Sequence, residues 1–322
     1  MRLRHLILLG AALIAPLLAL LAQETVFRVD VKLVRLLATV KSNTGDLIGS
    51  LSKREFTVYD SGVKQEIAVF ERDTRRQLSV ALLVDTSASA GTKLNEETRS
   101  VVRFLGALFR EGNEKDAASL YSFNDDVTLE SSFTRRIKRI ERELKTLKSS
   151  SGTSMYDAVY FASRSLRYRE GRRVIVLVTD GADTTSVKSF QQALEEAHNT
   201  DVVIYGIMIL PVTSDAGRNI GGENALITLA TGTGGRVIAA SLGEILDDAF
   251  DSILRDLRSQ YLIGYYPKGL PYSRERFRKV EVRVDRPGLR VITRTGYYGN
   301  QRGPRPPAPS QGGPTRKPRH QE

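Results

Sequence analysis

The chain has 322 residues, 41% of them hydrophobic and 26% charged, an ordinary globular composition that argues against a disordered, collagen-like or polytopic membrane chain. It has no cysteine, which excludes disulfides, zinc ribbons, iron–sulfur clusters and cysteine nucleophiles. Its three histidines, His5, His198 and His320, are too few and too scattered for a multi-histidine metal site. The formal net charge of +11 includes +2 from Arg2 and Arg4 and +4 from the residues after Tyr298, which leaves +5 for the middle. That mild excess points to no specific nucleic-acid partner.

Residues 1–22 read as an export signal: Arg2, Arg4 and His5 form a positive start, and Leu6 to Ala22 is an apolar run interrupted by Gly10 and Pro16. Cleavage after Ala22 would give a periplasmic or secreted protein. An uncleaved segment would anchor it and supply its only membrane contact. Residues 24–76 form an N-terminal β segment. Phe27, Val29, Val31 and Leu33 alternate with polar residues, turns follow at 43–46 and 60–62, and short strands are expected at 56–59 and 66–70.

From residue 78 to 258 the pattern changes. Apolar runs at 78–84, 117–123, 174–178, 202–210 and 237–240 alternate with helix candidates at 94–109, 133–147, 155–168, 190–197 and 244–257. Near-continuous apolar strands alternating with helices predict an α/β fold with a doubly wound, mostly parallel sheet covered on both faces. Residues 259–298 return to a two-residue period, with an expected hairpin of 280–284 against 289–295. Neither β segment has enough strands to bury a core alone, so the two are expected to pair into one small flanking β domain. Residues 299–322, rich in Pro, Gly and Arg, read as a disordered basic tail.

Ligands of open α/β sheets gather outside the carboxyl ends of the strands. The first strand of the α/β region ends in Asp85-Thr86-Ser87-Ala88-Ser89, and the strand at 174–179 ends in Asp180-Gly181-Ala182-Asp183. Between them Ser151-Gly152-Thr153-Ser154 opens a helix. Carboxylate and hydroxyl oxygens on alternate loop residues can converge on a hard cation. Taken singly, each such loop is equally a turn or a helix cap.

Together, the D-x-S-x-S, G-T and T-D-G loops resemble the metal-ion-dependent adhesion site of von Willebrand factor type A domains. The resemblance implies that Ser87, Ser89 and Thr153 contact a divalent ion directly while Asp85 and Asp180 hold it mostly through waters. The ion would be Mg2+, with Mn2+ or Ca2+ as alternatives. It also implies an open coordination position for an Asp or Glu of a protein partner. The stretches 51–62, 260–267, 286–289 and 295–298 resemble the bacterial VWFA-related domain family first catalogued in acidobacteria. Asp157 and Asp183 are expected to cap or face solvent.

Catalysis is not expected. An aspartyl-phosphate nucleophile at Asp85 would need an acid/base aspartate where Ser87 stands, and no G-x-S-x-G or suitably placed histidine supports a serine hydrolase; His198 is expected at the surface. Gly232-Thr233-Gly234-Gly235 precedes a strand, so it reads as a helix end and not a phosphate loop. The sequence therefore favours an exported, metal-dependent binding module. The alternative is a metal-independent envelope scaffold held to anionic surfaces by the basic helix at 133–148 and the tail.

Overall fold

The computed structural model describes residues 33–72, 76–88, 94–180, 183–209, 220–241, 243–271, 273 and 275–299. The export signal, the tail and most of the expected strand at 27–33 lie outside them. Among the described residues no helix is long and apolar enough to cross a membrane.

The first strand, β1 (Val34–Ser42), turns at 42–46, where the Ser42 carbonyl accepts from Gly45. A 3-10 turn (Lys53–Glu55) leads into β2 (Phe56–Asp60), β3 (Val63–Gln65) and β4 (Ile67–Arg72). After the α/β region the chain adds β11 (Tyr261–Tyr265), β12 (Phe277–Val284), β13 (Leu289–Ile292) and β14 (Gly296–Tyr298). These strands build two four-stranded antiparallel sheets, β13-β1-β11-β4 and β14-β12-β2-β3, each mixing early and late segments. One apolar cluster joins them, with Leu36, Ala38, Tyr261 and Ile263 from the first sheet and Val58, Val280 and Val282 from the second. The two sheets thus share one core built from both segments.

The expected hairpin is corrected here. Residues 289–292 do not fold back on β12; they pair with β1 in the other sheet, with Val291 opposite Val40. The chain then crosses over and rejoins β12 at Thr295, whose carbonyl accepts from Val280 N–H at 2.8 Å, and at residues 296–298, with Gly296 opposite Lys279. The return arm is divided because β1 still has a free edge to pair, and Leu289 and Val291 pack on the shared core.

Between β4 and β11 lies the α/β unit. In chain order it comprises β5 (Leu78–Asp85), α1 (Leu94–Glu111), β6 (Ala117–Phe123), β7 (Val127–Thr134), α2 (Ile137–Leu144), α3 (Met155–Leu166), β8 (Arg172–Thr179), α4 (Phe190–Asn199), β9 (Val202–Ile209), α5 (Ile220–Thr233), β10 (Val237–Ala240) and α6 (Glu244–Leu257). The sheet order is β10-β9-β8-β5-β6-β7, parallel except for β7. On β5, Val80, Leu82 and Val84 face α1 and α6, while Ala81 and Leu83 face α3, α4 and α5. All eight β5 residues are buried, and each large apolar side chain withdrawn from water contributes about 1.5–3 kcal/mol.

The helix expected at 133–147 is shorter: Phe133 and Thr134 end β7, and the helix runs from Ile137 to Leu144. Helix α5 ends as the glycine run implied. Gly234 adopts φ +91°, Gly235 N–H donates to the Ala230 carbonyl at 2.9 Å, and the chain turns into β10.

Candidate functional site

Strands β5 and β8 are adjacent and in register, Val84 opposite Val178, so Asp85 and Asp180 emerge side by side at the carboxyl edge of the sheet. Asp85 is 1% exposed. Its Oδ1 accepts from Ser87 N–H at 2.8 Å and its Oδ2 from the Thr179 hydroxyl at 2.6 Å. Burial raises the pKa of this carboxyl, the hydrogen bonds oppose the rise, and the like charge of Asp180 adds to it.

Ser87 is joined to the middle loop by a parallel bridge to Ser150. Ser150 N–H donates to the Thr86 carbonyl at 3.0 Å, and the Ser149 hydroxyl donates to the Ser87 carbonyl at 3.1 Å. The middle loop is joined in turn to the segment after Asp180: the Thr153 carbonyl accepts from Thr184 N–H at 2.8 Å, and Thr153 N–H donates to the Thr184 hydroxyl at 2.9 Å. The three loops that carry Asp85 and Ser87, Thr153, and Asp180 are therefore laced into one edge. Ser89 lies outside the described residues.

Thr153 is 4% exposed, and its hydroxyl, which is not fully enclosed, makes no hydrogen bond to another described residue. An oxygen-only donor set that combines this hydroxyl with two neighbouring carboxylates has the chemistry of a hard-cation site.

Asp157 and Asp183 cap and brace, as expected. Asp183 Oδ1 accepts from Tyr156 N–H at 3.1 Å and from the Ser186 hydroxyl at 2.6 Å, and its pKa is raised chiefly by burial. Asp157 accepts from Val187 and Lys188 N–H at 2.9 and 2.7 Å. Two supporting residues were missed in the sequence. The carboxylate of Asp125 accepts from the hydroxyls of Ser150 at 3.2 Å and Ser151 at 3.0 Å, and Thr179 anchors Asp85. The second had a signal, since Thr179 opens the T-D-G motif; Asp125, in the turn between β6 and β7, had none.

His198 is not at the surface. It is 4% exposed and packs edge-on against Phe277 and Tyr298, with ring centroids 5.4 and 6.0 Å away. Residues of β12 and β14 cover the ring, which also lines a cavity at the start of β8 and β9. It stands beside residues that begin β9, at the end of the sheet opposite Ser87.

Fold and site define a doubly wound α/β domain with an oxygen-lined carboxyl edge, inserted in a β sandwich. The family model for the von Willebrand factor type A domain matches residues 79–250, more than half the chain. The chain belongs to that family. Among solved structures it is similar to BatB from Bacteroides thetaiotaomicron (17% identity, TM-score 0.45, covering 56% of this chain and 97% of that one). It is also similar to the vWF domain of the type V pili tip protein Mfa5 from Porphyromonas gingivalis (15% identity, TM-score 0.48, covering 56% and 95%). No curated protein sequence matches it.

Proposed function

We propose that this is an exported binding module that holds a divalent cation, Mg2+ first and Mn2+ or Ca2+ as alternatives, at Asp85, Ser87, Ser89, Thr153 and Asp180. The bound ion would supply a Lewis-acidic position for an Asp or Glu side chain of a protein partner. Membership of a family whose domains commonly serve protein interaction supports the coarse reading. The observation that carries the finer one is the Thr153 hydroxyl, unpartnered among the described residues on a loop laced to the Asp85 and Asp180 strand ends.

The chain's own residues have separable tasks. Thr179 and the Ser87 N–H orient Asp85, and the bonds of Thr184 to Thr153 keep the middle loop against the strand ends. We propose no catalytic role: His198, the one described histidine, stands at the opposite end of the sheet from Ser87 and Thr153, beyond the reach of a general base.

Calorimetric titration of Mg2+ and Mn2+ into chelator-treated protein tests the reading. Saturable binding in the wild type should disappear in Asp85→Ala and Asp180→Ala variants that keep the far-ultraviolet dichroism of the parent. Absence of divalent binding in the wild type overturns the metal-dependent mechanism and favours the scaffold alternative. That alternative predicts strongly salt-dependent, metal-independent attachment through the exposed basic residues of α2, Lys138, Arg139 and Arg142.

A further inference from the structure

At the opposite end of the sheet from the oxygen-lined loops, a cavity of about 80 Å3 opens where β1 and β11 of the sandwich meet the first residues of β8 and β9. Five arginines line it, Arg35, Arg76, Arg172, Arg173 and Arg294, against one carboxylate, Asp201. The volume is several times the roughly 10–15 Å3 that admits a water molecule. We infer that this cavity is a binding site for a tetrahedral oxyanion of the phosphate or sulfate class.

Three observations carry the assignment. Arg294 is 9% exposed; its Nη1 donates to Asp201 Oδ1 at 2.6 Å, while its buried Nε has no hydrogen-bond partner among the described residues. A buried guanidinium N–H without an acceptor is costly, and an anion in the cavity would supply one. Arg35 is exposed on β1, and among the described residues it has no acidic partner. Arg173 spends its Nε and Nη1 on the carbonyls of Arg169 and Thr200 at 2.8 and 2.7 Å, which fixes its charge at the cavity wall. Burial lowers its pKa, the charge of Asp201 opposes the fall, and the charge of Arg35 adds to it. A dianion would lie among five cationic side chains and one carboxylate, and guanidinium forks match the oxygens of phosphate and sulfate.

The site stands apart from the metal reading. Arg172 and Thr179 mark the two ends of β8, about 20 Å apart at the rise of an extended strand, so either site can fail without the other.

The test is calorimetric titration of inorganic phosphate, and separately of inorganic sulfate, into the full chain, with sodium chloride at matched ionic strength as the control. We expect one saturable site in the wild type, weakened at least tenfold in Arg35→Gln and unchanged in Arg139→Gln on α2. Asp201→Asn should bind more tightly, because it removes the competing carboxylate while asparagine tolerates the φ of +52° at that position. Arg294→Gln is avoided as the primary variant because it removes a buried guanidinium, whereas Asp201→Asn keeps an amide oxygen that can accept from Arg294 Nη1. Heats no larger than the chloride control, binding that survives Arg35→Gln, or weaker binding in Asp201→Asn would each overturn the assignment. Saturation by phosphate but not sulfate, or the reverse, supports it and names the anion.

Discussion

Gly152 shows how tightly the oxygen-lined edge is built. Its φ is +72°, and an added Cβ would overlap the Asp125 carboxylate and press on Thr185 at 2.8 Å. Gly152→Ala should therefore cost about 1–3 kcal/mol in denaturant unfolding and weaken divalent binding, because the loop that carries Thr153 must move. Stability lost with divalent affinity unchanged would separate the loop from the site. His198 supplies a second residue-scale prediction. Burial, and then the charge of Arg294, depress its pKa to about 4 from the ordinary 6.5. Below pH 6.5 the unfolded chain takes up a proton that the folded chain refuses, so the contribution of the neutral ring is full above pH 6.5, declines between 6.5 and about 4, and levels off below. It amounts to at most about 3 kcal/mol. His198→Phe, which keeps an aromatic against Phe277 and Tyr298, should show a shallower loss over that window in melts at pH 7, 5.5 and 4; an unaltered slope would assign the acid sensitivity to other groups.

The strands of the sandwich are tied across the insertion by a buried carboxylate. Asp60, at the end of β2 and 0% exposed, accepts from the hydroxyls of Tyr265 at 2.9 Å and Tyr297 at 2.7 Å, which joins β2 to β11 and β14. Burial first, then the Asp60 charge, raises the pKa of the Tyr265 phenol, so it remains a donor at any ordinary pH. Tyr265→Phe should cost about 1.5–3 kcal/mol, the range for hydrogen bonds to a charged acceptor, measured by urea unfolding. These elements also show what was legible in the sequence. Strands β5, β8 and β9 were, because strands buried on both faces are apolar throughout, and with them came the strand-end positions of Asp85 and Asp180. Alternation does not sort the tyrosines: Tyr261 and Tyr265 are buried, whereas Tyr266 beside them is 47% exposed. Strand β7 was not legible, because an antiparallel edge strand with one of its eight residues buried lacks a clean period and Phe133 mimics the start of the next helix. Neither was the division of β13 from β14, whose partners in β1 and β12 are set by a sheet geometry that no local pattern encodes.

At the scale of the molecule, the sandwich and the α/β unit share charge as well as chain. Asp256, 2% exposed near the end of α6, pairs with Lys41 of β1 at 2.8 Å and with Arg236 at 2.6 Å, and Arg172 reaches the Leu257 carbonyl and, at 3.5 Å, the Gln260 side chain. Asp256→Ala leaves two cations in the seam without their partner and should cost about 3–5 kcal/mol. A chain truncated after Arg258 loses β11 to β14 and with them both strands that flank β1. Hydrogen exchange should then find the β1 and β2 amides unprotected while those of β5, β8 and β9 stay slow; persistent protection of β1 would mean that the early strands hold together unaided.

The insertion has a mechanical consequence. The α/β unit is entered from β4 and left through β11, two neighbouring antiparallel strands with Arg72 opposite Tyr261, so its two junctions lie side by side. A pull between β1 and β14 is carried by the sandwich strands and bypasses the loop that runs through β5 to α6. A partner held at the carboxyl edge, as proposed, would load the molecule differently, hauling on the ends of β5 and β8 along their own axes. That geometry shears long parallel ladders instead of peeling them, so the grip would outlast tension that opens the frame around it.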